Sequence, residues 1–216
     1  ISWVVNDGDS NSSAITSTIT VAPVNDAPSL DATASPSLSA INEDTAAPIN
    51  GDSSSGSLVS SLISGVADVD SGGVQGIAIT ATNSTNGSLQ YTSDGGNTWS
   101  DVGAVSDSSA LLLAANANSR LAFVPNANFY GTISDVLTFR AWDTTLGSAG
   151  TKVDTSANGG TSPFSSSTDT VSITVNPVSD APAGTDNTVS VQEDSTKIFA
   201  AADFGFADSI DAGTDV

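Results

Sequence analysis

The chain of 216 residues carries 24 Asp and Glu against 4 Lys and Arg, a formal charge of −20, with no His, Cys or Met. Nucleic acid is excluded as a partner, because binding it needs cations that neutralise phosphates, and Arg120, Arg140, Lys152 and Lys197 stand singly along the chain. Anionic membrane surfaces are disfavoured on the same ground, thiolate metal sites and disulfides are absent, and no stretch approaches the roughly 20 apolar residues of a membrane span.

In chain order, strand patterns come first. Ile1-Ser2-Trp3-Val4-Val5 opens as a strand with no signal peptide ahead of it, so export rests on composition and resemblance. Ile15, Ser17, Ile19 and Val21 then alternate with threonines up to Pro23. Ile77-Ala78-Ile79, Leu89-Gln90-Tyr91, Leu121-Ala122-Phe123 and Leu137-Thr138-Phe139 read as further strands, with turns at Asn86-Gly87 and Asp94-Gly95-Gly96. The segment Ser109 to Ala117 reads as a short helical turn. Val171, Ile173 and Val175 restore the period of two before Pro177. About seven strands in a unit point to an all-β, antiparallel sandwich. Phe139 and Trp142 fall on positions of opposite parity, so only one of them is expected to face fully inward.

The phrase Ile19-Thr20-Val21-Ala22-Pro23-Val24-Asn25-Asp26-Ala27-Pro28 returns as Ile173-Thr174-Val175-Asn176-Pro177-Val178-Ser179-Asp180-Ala181-Pro182. Other landmarks recur too: Ile1 to Asp7 matches Leu137 to Asp143, Ile41-Asn42-Glu43-Asp44-Thr45 matches Val191-Gln192-Glu193-Asp194-Ser195, and Val66-Ala67-Asp68 matches Phe206-Ala207-Asp208. Such recurrence predicts tandem sandwich repeats: residues 1–28 as the end of one unit, 29–180 as a complete unit and 181–216 as the start of a third. The complete unit has eighteen additional residues between Asp143 and Pro177 compared with Asp7 to Pro23. This Gly/Ser/Thr-rich insertion, within Thr144 to Thr168, is expected to be a surface loop on which the core does not depend, tolerated as such or used to touch a partner.

Acidic residues recur with the repeat. The two glutamates, Glu43 and Glu193, are each followed by an aspartate, Asp44 and Asp194; Asp68 and Asp70, then Asp208 and Asp211, precede turn-forming residues; Asn25-Asp26 and Ser179-Asp180 lie between two prolines. Asn and Asp are ordinary turn formers, but adjacent carboxylates that recur in this way suggest a shared counter-ion. Calcium takes about six to eight hard oxygen ligands and needs no His or Cys. Asp143, the counterpart of Asp7, ends its strand and joins the candidates. Neither Asp7 nor Asp68 opens an EF-hand, since Thr18 and Ile79 stand where a bidentate Glu belongs.

Together with Phe123-Val124-Pro125-Asn126-Ala127-Asn128-Phe129-Tyr130-Gly131 and Phe139-Arg140-Ala141-Trp142-Asp143, these motifs resemble the cadherin-like, Ig-like tandem repeats of giant bacterial RTX-type surface adhesins. The resemblance implies Ca2+ between repeats, with the linker acid on Asp26 and Asp180, the Glu motif on Glu43 and Glu193, and the paired aspartates on Asp68 with Asp70 and Asp208 with Asp211. The linkers depart from the fuller acidic linker of animal cadherins. It further implies a secreted or cell-surface repeat, not an enzyme, extending an adhesin or fibre, with neighbouring repeats of the same chain as partners. The alternatives are a module binding glycans or other surface proteins through the insertion, Trp99 or Tyr130, and an accessory domain of a secreted polysaccharide-degrading enzyme. Thr92 to Trp99 resembles the Asp-box hairpin of sialidases, but two arginines cannot form their carboxylate-gripping cluster; a structural turn held by Asp94 is expected. Without His or Cys, catalysis has no evident nucleophile and base. One calcium site is expected to unite Asp26, Asp68 and Asp70 with Glu43 or Asp44 nearby, and Asp180, Asp208 and Asp211 to repeat it; which end of its sandwich Glu43 serves stays open, since the roughly 15 residues after Pro28 could span a whole strand.

Overall fold

Alternating β-branched, aromatic and leucine positions set the architecture. The computed structural model describes residues 1–70, 75–181 and 183–207, and among them the fold is all-β, with only two short 3-10 turns, Val59–Ser61 and Ala201–Phe204. The strands are β1 (Ser2–Trp3), β2 (Ile15–Thr16), β3 (Ser29–Leu30), β4 (Ile41–Asn42), β5 (Ser57–Leu58), β6 (Val66–Ala67), β7 (Gly76–Thr82) and β8 (Gly87–Thr92). They continue as β9 (Ser100–Asp101), β10 (Ala110–Ala114), β11 (Arg120–Pro125), β12 (Gly131–Trp142), β13 (Lys152–Val153), β14 (Asp169–Asn176), β15 (Ala183–Gly184) and β16 (Phe206–Ala207).

Two sheets dominate, one of order β13-β10-β7-β12-β14-β4 and one of order β5-β11-β8-β9. Ile77, Ile79, Leu113, Phe139 and Ile173 from the first sheet and Leu89, Leu121 and Phe123 from the second lie in one buried cluster. Two sheets around one core are consistent with a β-sandwich. Strand β14 shows the rule behind it: Val171, Ile173 and Val175 are buried, while Thr170, Thr174 and Asn176 face water.

The outer face of the six-stranded sheet departs from that rule and corrects three expectations. Residues 110–114 form strand β10, not a helical turn, and all five are buried. A short apolar run without alternation is what a strand covered on both faces requires. Its cover is the insertion. Phe164, 1% exposed, packs with Ala78, Ala110, Leu112, Ala114 and Trp142 in a second cluster, and Ala149 and Val153 pack against it. The insertion is therefore part of the packed structure rather than a dispensable loop. Phe139 and Trp142 do point to opposite faces, one into each cluster, yet both are buried, at 0% and 2% exposure. Parity separates the two rings, and the insertion removes the exposure that parity alone predicts.

Outside the two sheets, the strand expected from Ile15 to Val21 is regular only at Ile15–Thr16, and Trp3, Val5, Ile15, Ile19 and Val21 are exposed. The pairing of β1 with β2 sets Ser2 opposite Thr16 and Trp3 opposite Ile15; β12 with β14 sets Thr138 opposite Thr170 and Phe139 opposite Asp169. Likewise Ser29 faces Ala67 in β3–β6, and Ala183 faces Ala207 in β15–β16.

The sandwich has two distinct ends. At one, Gly131 pairs with Val175 and, through the only parallel pair among the described strands, Val175 with Ile41. At the other, β12 finishes at Trp142 beside Gly76. At about 3.3 Å per residue, the length of β12 separates the two ends by roughly 35 Å.

Candidate metal centres at the two linkers

The incoming linker, Pro23 to Pro28, meets the end where β12 finishes. Asp143 follows that strand and is 3% exposed. Its Oδ1 accepts the Thr145 amide at 2.8 Å and the Thr145 hydroxyl at 2.7 Å, and its Oδ2 accepts Asn25 Nδ2 at 2.8 Å. The next linker residue, Asp26, donates its amide to Asp70 Oδ2 at 2.7 Å, and the Asp70 amide reaches Asp68 Oδ1 at 2.9 Å. Asn25, Asp26, Asp68, Asp70 and Asp143 are thus joined through the linker, Asp143 being an addition to the Asp26, Asp68 and Asp70 grouping read from the sequence. The turn after Asp70, residues 71–74, lies outside the described residues.

Cationic side chains do not serve this cluster. Arg140 bonds Asp107 and the carbonyls of Ser165 and Ser166, Arg120 the Gly56 carbonyl, Lys152 the carbonyls of Val102 and Ala104, and Lys197 Asp203. The carboxylates of Asp68, Asp70 and Asp143 are met locally by N–H and O–H donors.

Glu43 does not join this group, so of the two ends the sequence leaves open to it, it takes the one away from Asp26. Its amide donates to Asn176 O at 3.0 Å, and its Oε1 accepts the Val178 amide at 2.7 Å. The residue is 2% exposed, and Oε2 is buried without a hydrogen-bond partner. Glu43 therefore faces the outgoing linker, Pro177 to Pro182, at the far end of the sandwich from Asp26. The reason is the path of the chain. After β3 pairs with β6 near the incoming linker, Ser37 runs parallel beside Ser172 and Ile41 beside Val175, carrying the backbone along the second half of β14 to its end before Glu43 is reached.

Asp44 is exposed beside Glu43, and Asp180 is half-buried two residues beyond Val178. Glu193 and Asp194 lie exposed in a turn, and Asp208 and Asp211 lie outside the described residues. Asp7 accepts the amides of Asp9 and Ser10, chiefly the latter, and is held below the ordinary carboxylate range by them.

Hard oxygens alone make up both donor sets, as calcium requires. A buried carboxylate oxygen with no donor is costly in an all-protein environment and is relieved by a cation, so the Glu43 end fits such an ion. Among the described residues no group of three or more acidic side chains is gathered to hold a metal by itself; Asn and backbone carbonyl oxygens would have to complete any shell.

Asp169 escapes the expectations drawn from the sequence. It opens β14, is 6% exposed, and has Oδ1 on the Thr170 amide and a buried Oδ2 without a partner. A signal for it is present: Ile15 occupies the corresponding position before the Thr in the repeated phrase.

The Asp94 hairpin is the structural turn its sequence suggests. The Thr98 hydroxyl, the Thr98 amide and the Thr92 hydroxyl all bond the Asp94 carboxylate and hold its pKa down to about 2. Trp99 donates its amide to Asn50 Oδ1 at 2.8 Å and its indole N–H to Asp52 O at 3.0 Å. Asp52 in turn caps its own loop through the hydroxyls and amides of Ser55 and Ser54, which hold it far below the usual carboxylate range. Comparison with protein-family models, curated proteins and solved structures returns no match.

Proposed function

We propose that residues 29–180 are a cadherin-like, calcium-stabilised extracellular repeat acting as a structural extender of a large bacterial surface adhesin or fibre, with neighbouring repeats of the same chain as its immediate partners. The observation that carries this reading is Glu43: a buried carboxylate with an open oxygen, beside a proline-bounded linker, in a chain of charge −20. Calcium there would supply the positive charge that no side chain offers. Glu43 and Asp180 would hold it at the outgoing linker; at the incoming one, an ion bound by Asp26, Asp68 and Asp70 would add to a joint that hydrogen bonds already fasten. The matched registers of β1–β2 with β12–β14 and of β3–β6 with β15–β16 support a tandem arrangement.

The rival reading, a module that grips glycans or other surface proteins, keeps the exposed Tyr130 but draws less support from Trp99 and the insertion. The Trp99 indole N–H is spent on Asp52, and the insertion is spent on covering the six-stranded sheet.

Calcium titration of thermal unfolding tests the proposal. One site occupied at about a hundredfold excess over Kd stabilises the fold by about 2.7 kcal/mol. Glu43→Gln keeps an acceptor for the Val178 amide but removes the charge, so it should abolish most of that increment at the outgoing linker. Identical melting in calcium and in chelator for the unaltered chain refutes the calcium reading.

A further inference from the structure

The insertion does more than cover a sheet. Each flank is anchored: β13 pairs with the edge of β10, the Trp142 indole donates to Leu146 O at 2.8 Å, and the Ala141 amide donates to Ser165 Oγ at 2.9 Å. Arg140 donates to the carbonyls of Ser165 and Ser166. Between these anchors the tip, residues 159–163, reaches the incoming linker. Ala27 donates its amide to Gly160 O at 2.7 Å, Asn25 Nδ2 faces Thr161 O at 3.4 Å, and the Asp143 amide donates to Pro163 O at 3.1 Å.

The tip is built to hold that shape. Gly159 and Gly160 have φ of +71° and +59°, the left-handed region in which glycine is free of the Cβ penalty. The Gly159 amide is tied to Phe164 O and the Ser162 amide to Gly159 O. Two successive left-handed residues turn the chain so that the Gly160 carbonyl points at the linker, and the bond from Gly159 to buried Phe164 fixes the turn to the second core.

Asn25 completes the arrangement. Its amide nitrogen faces Asp143 Oδ2 at 2.8 Å, Asp26 O at 3.3 Å and Thr161 O at 3.4 Å. Two N–H bonds therefore sit where several oxygens converge, a place that a cation would otherwise take. The outgoing linker has Ser179 at the corresponding position, and a hydroxyl brings a single hydrogen.

We infer that the insertion and Asn25 form a metal-independent lock, which fastens the incoming linker and the preceding repeat to this one. The lock rests on the reading of residues 1–28 as the end of a neighbouring repeat, and it does not require calcium to be bound. The connection from Asp7 to Pro23 is eighteen residues shorter than that from Asp143 to Pro177.

Amide hydrogen exchange on the whole chain, in chelator and in calcium, tests the lock. In chelator the Ala27 amide should exchange at least roughly tenfold more slowly than an unstructured amide, as a hydrogen-bonded group with its own local opening equilibrium does, and Ala181 should gain comparable protection only in calcium. Combining Asn25→Ser with Gly160→Val, which strains a left-handed position facing open space, should remove the protection of Ala27. The amides of Ile79 and Leu113 should stay protected in that variant, which shows that the sandwich is folded. An Ala27 amide that exchanges at the unstructured rate in chelator, or that is unaffected by the double substitution in a folded chain, overturns the lock. Protection of Ala27 in chelator with no calcium response at Ala181 keeps the lock and removes the calcium reading instead.

Discussion

Replacing Phe164 with Ala measures whether the insertion is structure or ornament. The ring is 1% exposed and sits against Ala78, Leu112 and Trp142 on the outer face of the six-stranded sheet. Truncating a buried Phe removes its transfer free energy and leaves a cavity, together about 3–5 kcal/mol. The lower half of that range is expected, because several neighbours are alanines and the covering segment can settle toward the sheet. A substitution in a solvated loop stays within about 0.5 kcal/mol, so the two cases differ several-fold. Urea unfolding followed by tryptophan fluorescence reads the difference as a lowered midpoint, and an unchanged slope shows that the folded state has kept its compactness. A loss below about 1 kcal/mol would refute the assignment of the insertion to a second core. Excision of residues 148–161 should cost at least as much, since it removes β13 and with it the Lys152 bonds to Val102 and Ala104.

Gly96→Ala should destabilise by about 2 kcal/mol or more in the same assay, because φ is +90° and a Cβ would lie 2.0 Å from the Asp52 carbonyl oxygen. Asp94→Asn should flatten the acid limb of stability. The folded pKa is about 2, below an unfolded value of about 3.9, so the carboxylate contributes fully above pH 4 and loses its contribution as pH falls toward 2; equal slopes for both proteins in that window would refute this. Asp169→Ile, which restores the residue of the earlier copy of the phrase, should raise the urea midpoint by an amount equivalent to about 1–3 kcal/mol, since it removes a buried oxygen without a donor; a lowered midpoint would show that Asp169 has a partner in solution.

Strand positions and side-chain parity were legible because a period of two is written directly in residues such as Val171, Ile173 and Val175. The second core was legible only in part. The unbroken run Ala110-Leu111-Leu112-Leu113-Ala114 announces a strand covered on both faces, but it does not say what covers it. The cover comes from a Gly/Ser/Thr-rich stretch in which Phe164 and Val153 are the only large apolar residues that meet the sheet. Two apolar side chains separated by ten polar or small ones carry no periodicity from which packing could be read.

The acidic residues show a different limit. The recurring motifs single out Asn25, Asp26, Asp68 and Asp70, all at strand ends where the chain turns, and the structure joins them and adds Asp143 through Asn25. Glu43 looks equally close in sequence to Asp26, yet the parallel run of residues 37–42 beside β14 carries it to the opposite end. Parallel pairing is the step that spacing cannot supply, since an antiparallel return over the same residues would have brought Glu43 back beside Asp26. The acidic residues of one motif set therefore lie at two ends of the sandwich, and within this chain the two ends differ in how their carboxylates are satisfied. Carboxylates at the incoming linker are met by amides of Asn25, Asp26, Asp70 and Thr145, whereas Glu43 retains a buried oxygen with none. Neutralising Asp143 should then act mainly through lost hydrogen bonds and be indifferent to calcium, while neutralising Glu43 should act mainly through calcium. Equal calcium dependence in Asp143→Asn and Glu43→Gln would show that the two ends share one chemistry after all.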